Sequence, residues 1–214
     1  MTADTRSSTP RLPASERREQ ILETATRIFA RKGFEGTTTK DLAKACGVSE
    51  SALYKHFPSK EAIFENVLQR KIGSFDFEHF LSGLPQELGL PETLETVARK
   101  ILDIGLADPL IQKLFLAATL AGSPEAKRFY LSWRLPFIEF LERRIRIGIE
   151  RGEIRDLNPQ ITARAFVGLV NDCVLSCTFW DSYGYGKFDK EKLIANNIPV
   201  FVRGMLSRTS AGSH

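Results

Sequence analysis

The sequence predicts an all-α protein of about nine or ten helices: an N-terminal three-helix unit followed by a larger helical region. Three observations predict it. Apolar residues recur at helical spacing along most of the chain, as Ile21, Leu22, Ala25, Ile28 and Phe29 do. Pro91, Pro109, Pro124 and Pro159 each stand where a periodic segment begins, and there a missing N–H does no harm. No stretch alternates convincingly with period two, and no internal repeat is visible.

Each element follows from local signals. Residues 1–14, rich in Thr, Ser, Pro and Arg, read as a flexible arm. Ser15 is the expected cap of the first helix and Gly33 its stop. Thr38 with Asp41 three residues on forms a capping box for a short second helix, which buries Leu42, Ala43 and Cys46. Gly47 turns the chain. Ser49 then caps a third helix of about two turns, and Ser59 opens a fourth that carries Ile63, Phe64, Val67, Leu68 and Ile72. Two short helices joined by a glycine turn are the helix-turn-helix pattern, so residues 15–75 are expected to form one domain. Residues 76–208 are expected to form a second. In it, helices open at Pro91 and Pro109, one long helix runs from Pro124 to Gly152 with a kink at Pro136, and an apolar helix runs from Pro159 to about Ser182. A last helix starts at Asp189 and ends near Leu206, and residues 209–214 read as a tail.

Composition excludes several classes. The chain has 214 residues, 43% hydrophobic and 26% charged, as soluble globular proteins have. Its most apolar stretch, 163–180, is interrupted by Asn171 and Asp172, which favours a buried or interface helix over a membrane span. No apolar run of signal-peptide length precedes Ser15, so a cytoplasmic protein with no membrane partner is expected. Cys46, Cys173 and Cys177 include no CxxC pair, so neither a disulfide framework, a metal site nor a cofactor is expected. No GxSxG, P-loop, GxGxxG or HExxH occurs, and His56 and His79 have no acid or nucleophile at useful spacing; no catalytic site is expected. Residues 1–60 hold 11 Lys/Arg against 7 Asp/Glu, whereas the remainder holds 19 of each. The net charge of +4 therefore lies wholly in the N-terminal quarter, where it suits a polyanion.

On a helical wheel, Leu53 and Phe57 share the inner face of the third helix, with Ser49 near it. Ser51 and Lys55 point away, with Ala52 and Tyr54 on the flanks. A helix presenting a hydroxyl, an ammonium and a phenol fits a major groove. His56 and Lys60 lie at its far end, where a phosphate backbone would pass. Thr38, Thr39 and Lys40 stand at the start of the second helix, whose free N–H groups suit another phosphate.

Here "TTTKDLAKACGVSESALYKHFPSKEAIFENVL" resembles the DNA-binding domain of the TetR family of bacterial transcriptional repressors. Thr38, Leu42, Ala43, Gly47, Val48, Ser49, Leu53, Tyr54, His56, Phe57, Ser59, Lys60 and Glu61 carry the match. The resemblance implies that Glu50, Ser51 and Ala52 touch base edges. It implies that Tyr54, His56, Lys60, Thr39 and Lys40 touch phosphate. A glycine is frequent in the family where this chain has Ser51. The resemblance also implies a homodimer built on the last two long helices, set on a palindromic operator in double-stranded DNA. A small, largely apolar effector binding the C-terminal region would release it, with the fourth helix as lever. A constitutive DNA-binding dimer, or an activator, remain the alternatives.

For the effector, aromatic residues are the candidates: Phe115, Phe129, Trp133, Phe137, Phe140, Phe166 and Trp180. Asn171 joins them, as an amide amid apolar neighbours that needs either a ligand or a dimer partner.

Overall fold

The computed structural model describes residues 13–72, 76–120, 122, 124–178 and 188–207. The expected arm, the tail and Trp180 therefore lie outside the described residues or mostly so, as does the Phe129 side chain. Among the described residues there are eleven helices and no strand, and the chain divides after Gln69 into two compact units.

The first unit contains α1 (Ala14–Lys32), α2 (Thr39–Ala45), α3 (Glu50–Tyr54) and the first ten residues of α4 (Lys60–Ile72). Its core is the predicted one: Ile21, Leu22, Ala25, Ile28 and Phe29 from α1 meet Leu42, Ala43, Cys46, Leu53, Phe57, Ile63, Phe64, Val67 and Leu68. Phe29, Phe34 and Phe64 form an aromatic trio with ring centroids 5.0–5.9 Å apart. One cap departs from expectation. The residue before α1 is Pro13, whose carbonyl accepts from Arg17 N–H at 2.9 Å, while Ser15 sits inside the first turn. Pro13, with its preset φ of −51°, takes the flanking position that Ser15 was expected to hold.

The second unit contains α5 (Phe77–Ser82), α6 (Leu90–Ala107), α7 (Pro109–Leu120), α8 (Pro124–Trp133), α9 (Leu135–Glu150), α10 (Pro159–Thr178) and α11 (Lys190–Met205). The expected long helix from Pro124 to Gly152 is two helices. Pro136 offers no N–H to Ser132, and the helix breaks at Arg134 instead of bending through. The six-residue α5 was not predicted. It is too short for periodicity to register, and its only strong signal is Asp76, whose carboxylate accepts from His79 N–H at 2.8 Å.

Helix α10 packs against α9 and α6, and α11 packs against α6. By length and composition α10 could cross a membrane. In the fold, however, it buries Ala163, Phe166, Val167, Val170 and Val174 within its own unit. Gly105 on α6 makes room for Val174: a methyl placed there would lie 2.5 Å from Val174 Cγ1. Leu169 edges a small gap against Ala98 and Leu102. The exposed apolar residues of this helix pair are others, Ile161 at 65% and Val200 at 68% exposed.

Candidate nucleic-acid interface

The surface begins with two caps. Thr38 Oγ1 accepts from Asp41 N–H at 3.1 Å, and the Asp41 carboxylate accepts from Thr38 N–H at 3.2 Å, completing the capping box of α2. The Lys32 ammonium, 3.1 Å from Asp41, and the Thr38 N–H hold the Asp41 carboxyl down at about 2. Gly47, with φ of +66°, then reverses the chain in a conformation that side-chain-bearing residues rarely adopt. Val48 N–H closes the turn on Ala43 O at 3.0 Å. Ser49 Oγ accepts from Ala52 N–H at 3.1 Å and starts α3.

Helix α3 is shorter than the two turns expected, yet its inner face is as read. Leu53 and Phe57 are each 1% exposed, and Phe57 N–H still bonds Leu53 O at 3.1 Å beyond the helix end. Ser51, Tyr54 and Lys55 face solvent, with Tyr54 48% exposed for a residue that has an aromatic ring to hide. Ala52 and His56 are partly buried. Lys40 is exposed at the start of α2.

Five candidates are already engaged within the unit. Thr39 Oγ1 donates to Glu50 Oε2 at 2.9 Å, tying the two helix starts together. The Thr38 and Ser49 hydroxyls serve as caps. Lys60 Nζ donates to Phe34 O at 3.1 Å and lies 4.1 Å from the Phe34 ring centre. Its ammonium therefore turns toward the α1–α2 connection, with two N–H bonds left for another acceptor.

Sequence reasoning missed Arg18. Its guanidinium donates to His56 O at 2.7 Å and to Asn66 Oδ1 at 2.8 Å, and lies 4.1 Å over the Phe57 ring. One side chain thus joins α1, the end of α3 and α4. No sequence pattern marks it, because its partners are 38 and 48 residues away.

Residues 21–67 match the profile of bacterial regulatory proteins, tetR family. A nucleoid occlusion factor of Marinobacter nauticus, SlmA, is 32% identical over 148 residues, covering 69% of this chain and 74% of SlmA. The chain belongs to the TetR family. The HTH-type regulator YfiR of Bacillus subtilis is 29% identical over 83% of each chain. Among solved structures, the TetR-family chain shares its fold with NalD, the secondary repressor of the MexAB-OprM multidrug efflux pump in Pseudomonas aeruginosa. There the TM-score is 0.69 at 19% identity, over 91% of this chain and 98% of NalD. This TetR-family protein is a DNA-binding transcription regulator and not an enzyme.

The described effector candidates of the TetR-family chain do not line one space. Trp133 and Phe137 meet Phe77 edge-on, at 5.6 and 5.3 Å, and are 2% and 1% exposed. Phe166 packs on Phe201 at 5.0 Å. Phe115 lies under the Arg134 guanidinium. Phe140, with Leu84, Leu88, Pro136 and Arg143, lines a cleft of about 840 Å³ between α9 and the chain leading into α6. Asn171 is buried and its Nδ2 donates to Val167 O at 2.7 Å, while Oδ1 has no partner among the described residues.

Proposed function

We propose that the chain is an effector-released repressor that binds a two-fold operator as a homodimer. The exposed face of α3 carries this reading: Ser51, Tyr54 and Lys55 stand outward on a helix whose other side is locked by Leu53 and Phe57. On that geometry Ser51, with Glu50 and Ala52 beside it, reads base edges in the major groove. Tyr54, Lys55 and His56 take the phosphates that flank it. Thr39 and Lys40 take a second phosphate at the start of α2. Thr38 and Ser49 act through the backbone they cap. Lys60 reaches phosphate with the donors that Phe34 leaves free. The Thr39–Glu50 hydrogen bond keeps a carboxylate in front of α3, where it repels misplaced phosphates and accepts from cytosine N4.

The dimer reading rests on α10 and α11, where Ile161 and Val200 are exposed and Gly168 and Gly204 look into open space. On a two-fold operator the two copies of α3 stand about one DNA turn, roughly 34–36 Å, apart. Val200→Glu together with Gly168→Arg should then give monomers by light scattering. Dimers that persist put the interface elsewhere. The fold shared with NalD, a repressor, supports repression over activation.

Salt dependence tests the DNA face. Each neutralised phosphate contributes a slope of about −0.9 in log K against log salt. Lys55→Ala in a dimer should make the slope shallower by roughly 2, equally on operator and random DNA. Ser51→Ala should leave the slope unchanged and alter the preference among operator variants. A Lys55→Ala slope equal to that of the parent would mean that α3 lies at another rotation.

A further inference from the structure

Helix α3 has only five residues, and Tyr54, Lys55 and His56, which face the flanking phosphates in the reading above, all stand at its C-terminal end. Isolated helices of that length do not hold in water. The Ser49 cap fixes the start of α3, whereas main-chain donors run out at its end. His56 N–H and Phe57 N–H both fall on Leu53 O, at 3.0 and 3.1 Å, and Pro58 has no N–H to offer the next carbonyls.

Arg18 supplies a donor there. Nη1 donates to His56 O at 2.7 Å, Nη2 donates to Asn66 Oδ1 at 2.8 Å, and the guanidinium carbon lies 4.1 Å from the Phe57 ring centre. The second acceptor is itself fixed. Asn66 Nδ2 donates to Ala62 O at 2.7 Å, which turns the amide oxygen toward Arg18. Phe57 is 1% exposed, so the ring under the guanidinium belongs to the core. All of these residues lie in the N-terminal unit, and Arg18 lies outside residues 21–67, which match the family profile.

We propose that Arg18 is a positioning residue for sequence-specific DNA binding, which sets the C-terminal end of α3 without itself touching DNA. This rests on the placement of α3 in the major groove proposed above. Contacts that read bases must be held to about half an ångström by side chains that are locked in turn. An ammonium reaching a phosphate tolerates more play, because it is a point charge on a flexible stem. Arg18 therefore serves the choice between sequences more than the attraction to DNA as such.

The test uses the full chain and two duplexes: the tightest binder that the parent protein selects from a randomised pool, and a shuffled duplex of the same length and composition. Arg18→Gln should weaken binding to the selected duplex by roughly tenfold or more, the scale of one mismatched base pair, and to the shuffled duplex by at most about twofold. The salt slope on shuffled DNA should stay that of the parent, since no phosphate contact is removed. Arg18→Lys should not recover the discrimination, because an ammonium keeps the charge but cannot fork to two acceptors while lying on a ring. Asn66→Ala should lose part of the discrimination, and adding it to Arg18→Gln should cost nothing further. A salt slope shallower by roughly 2 in Arg18→Gln would make Arg18 a phosphate contact and overturn the proposal. Equal weakening on both duplexes, as expected of a residue that only maintains the fold, would overturn it too, as would full recovery in Arg18→Lys. If Arg18→Gln does not fold, Asn66→Ala decides by the same comparison of duplexes. If Arg18→Gln matches the parent on both duplexes while Ser51→Ala shifts sequence preference, the positioning role falls and the placement of α3 stands.

Discussion

In the N-terminal unit, α2 and α3 have seven and five residues, and caps hold both. In the C-terminal unit, α6, α9, α10 and α11 have 16 to 20 residues, and their stability comes from buried faces. Isolated helices as short as α2 and α3 are unstable in water, so every end group matters. Thr38, Asp41 and Ser49 answer such groups locally, Arg18 answers His56 O across the unit, and Thr39 ties the two helix starts through the Glu50 carboxylate. The long helices have caps as well, Asn158 on α10 and Asp189 on α11, but add to them the burial of a whole face. They leave Asn171 Oδ1 without a partner among the described residues. The difference suits a surface that reads DNA, whose side chains must be held at fixed positions.

Substitutions can break or sharpen this contrast. Phe57→Ala should have the largest effect, about 3–5 kcal/mol by denaturant unfolding, because the ring fills the space behind α3 and supports Arg18. Hydrogen exchange should show the loss in residues 14–69. Equal loss in both units would argue that they unfold as one. Gly105→Val should destabilise the C-terminal unit by about 1–3 kcal/mol, since the added carbons collide with Val174, which is buried and branched. A stable Gly105→Val protein would mean that α6 and α10 slide apart easily. Thr38→Ala should cost about 1 kcal/mol through the lost cap and weaken operator binding with it. Asn171→Leu should act in the opposite direction, raising stability by about 1 kcal/mol, because an unsatisfied buried acceptor is replaced by carbon of similar size. A fall in stability would place a donor, such as water, on that oxygen.

The smallest effect is the pH dependence of Asp41. Its carboxyl sits at about 2 in the folded chain against an ordinary 3.8, chiefly because of the Lys32 hydrogen bond. Its contribution is therefore complete above about pH 4 and disappears as pH falls toward 2. Asp41→Asn should flatten acid unfolding curves in that window alone.

The N-terminal unit was legible because its determinants are close in sequence. Thr38 and Asp41 are three residues apart, Gly47 marks its own turn, and Leu53 and Phe57 share a face by spacing alone. What could not be read there was the state of each polar head. Thr39 meets Glu50 across eleven residues, and Lys60 meets Phe34 across twenty-six. In the C-terminal unit the helices were legible from their prolines and periodicity, apart from α5 and the break at Arg134. What each aromatic ring of that unit packs against was not. Aromatic content pointed to Trp133, Phe137 and Phe166, but a ring in a wall and a ring in a core look alike in sequence. Packing around Phe77 and Phe201 distinguishes them. Asn171 reads in sequence as serving either a ligand or a dimer partner, and in the structure its Oδ1 is buried with no partner among the described residues.

The Arg18 contacts carry a mechanical consequence. The guanidinium grips the last carbonyl turn of α3 and the Asn66 amide of α4 at once, while its stem belongs to α1. A torque applied to α4 at Asn66 is therefore shared by α1 and α3 and does not bend α3 in its seat. The three helices are pinned at one side chain, so a displacement of any one of them is carried to the other two.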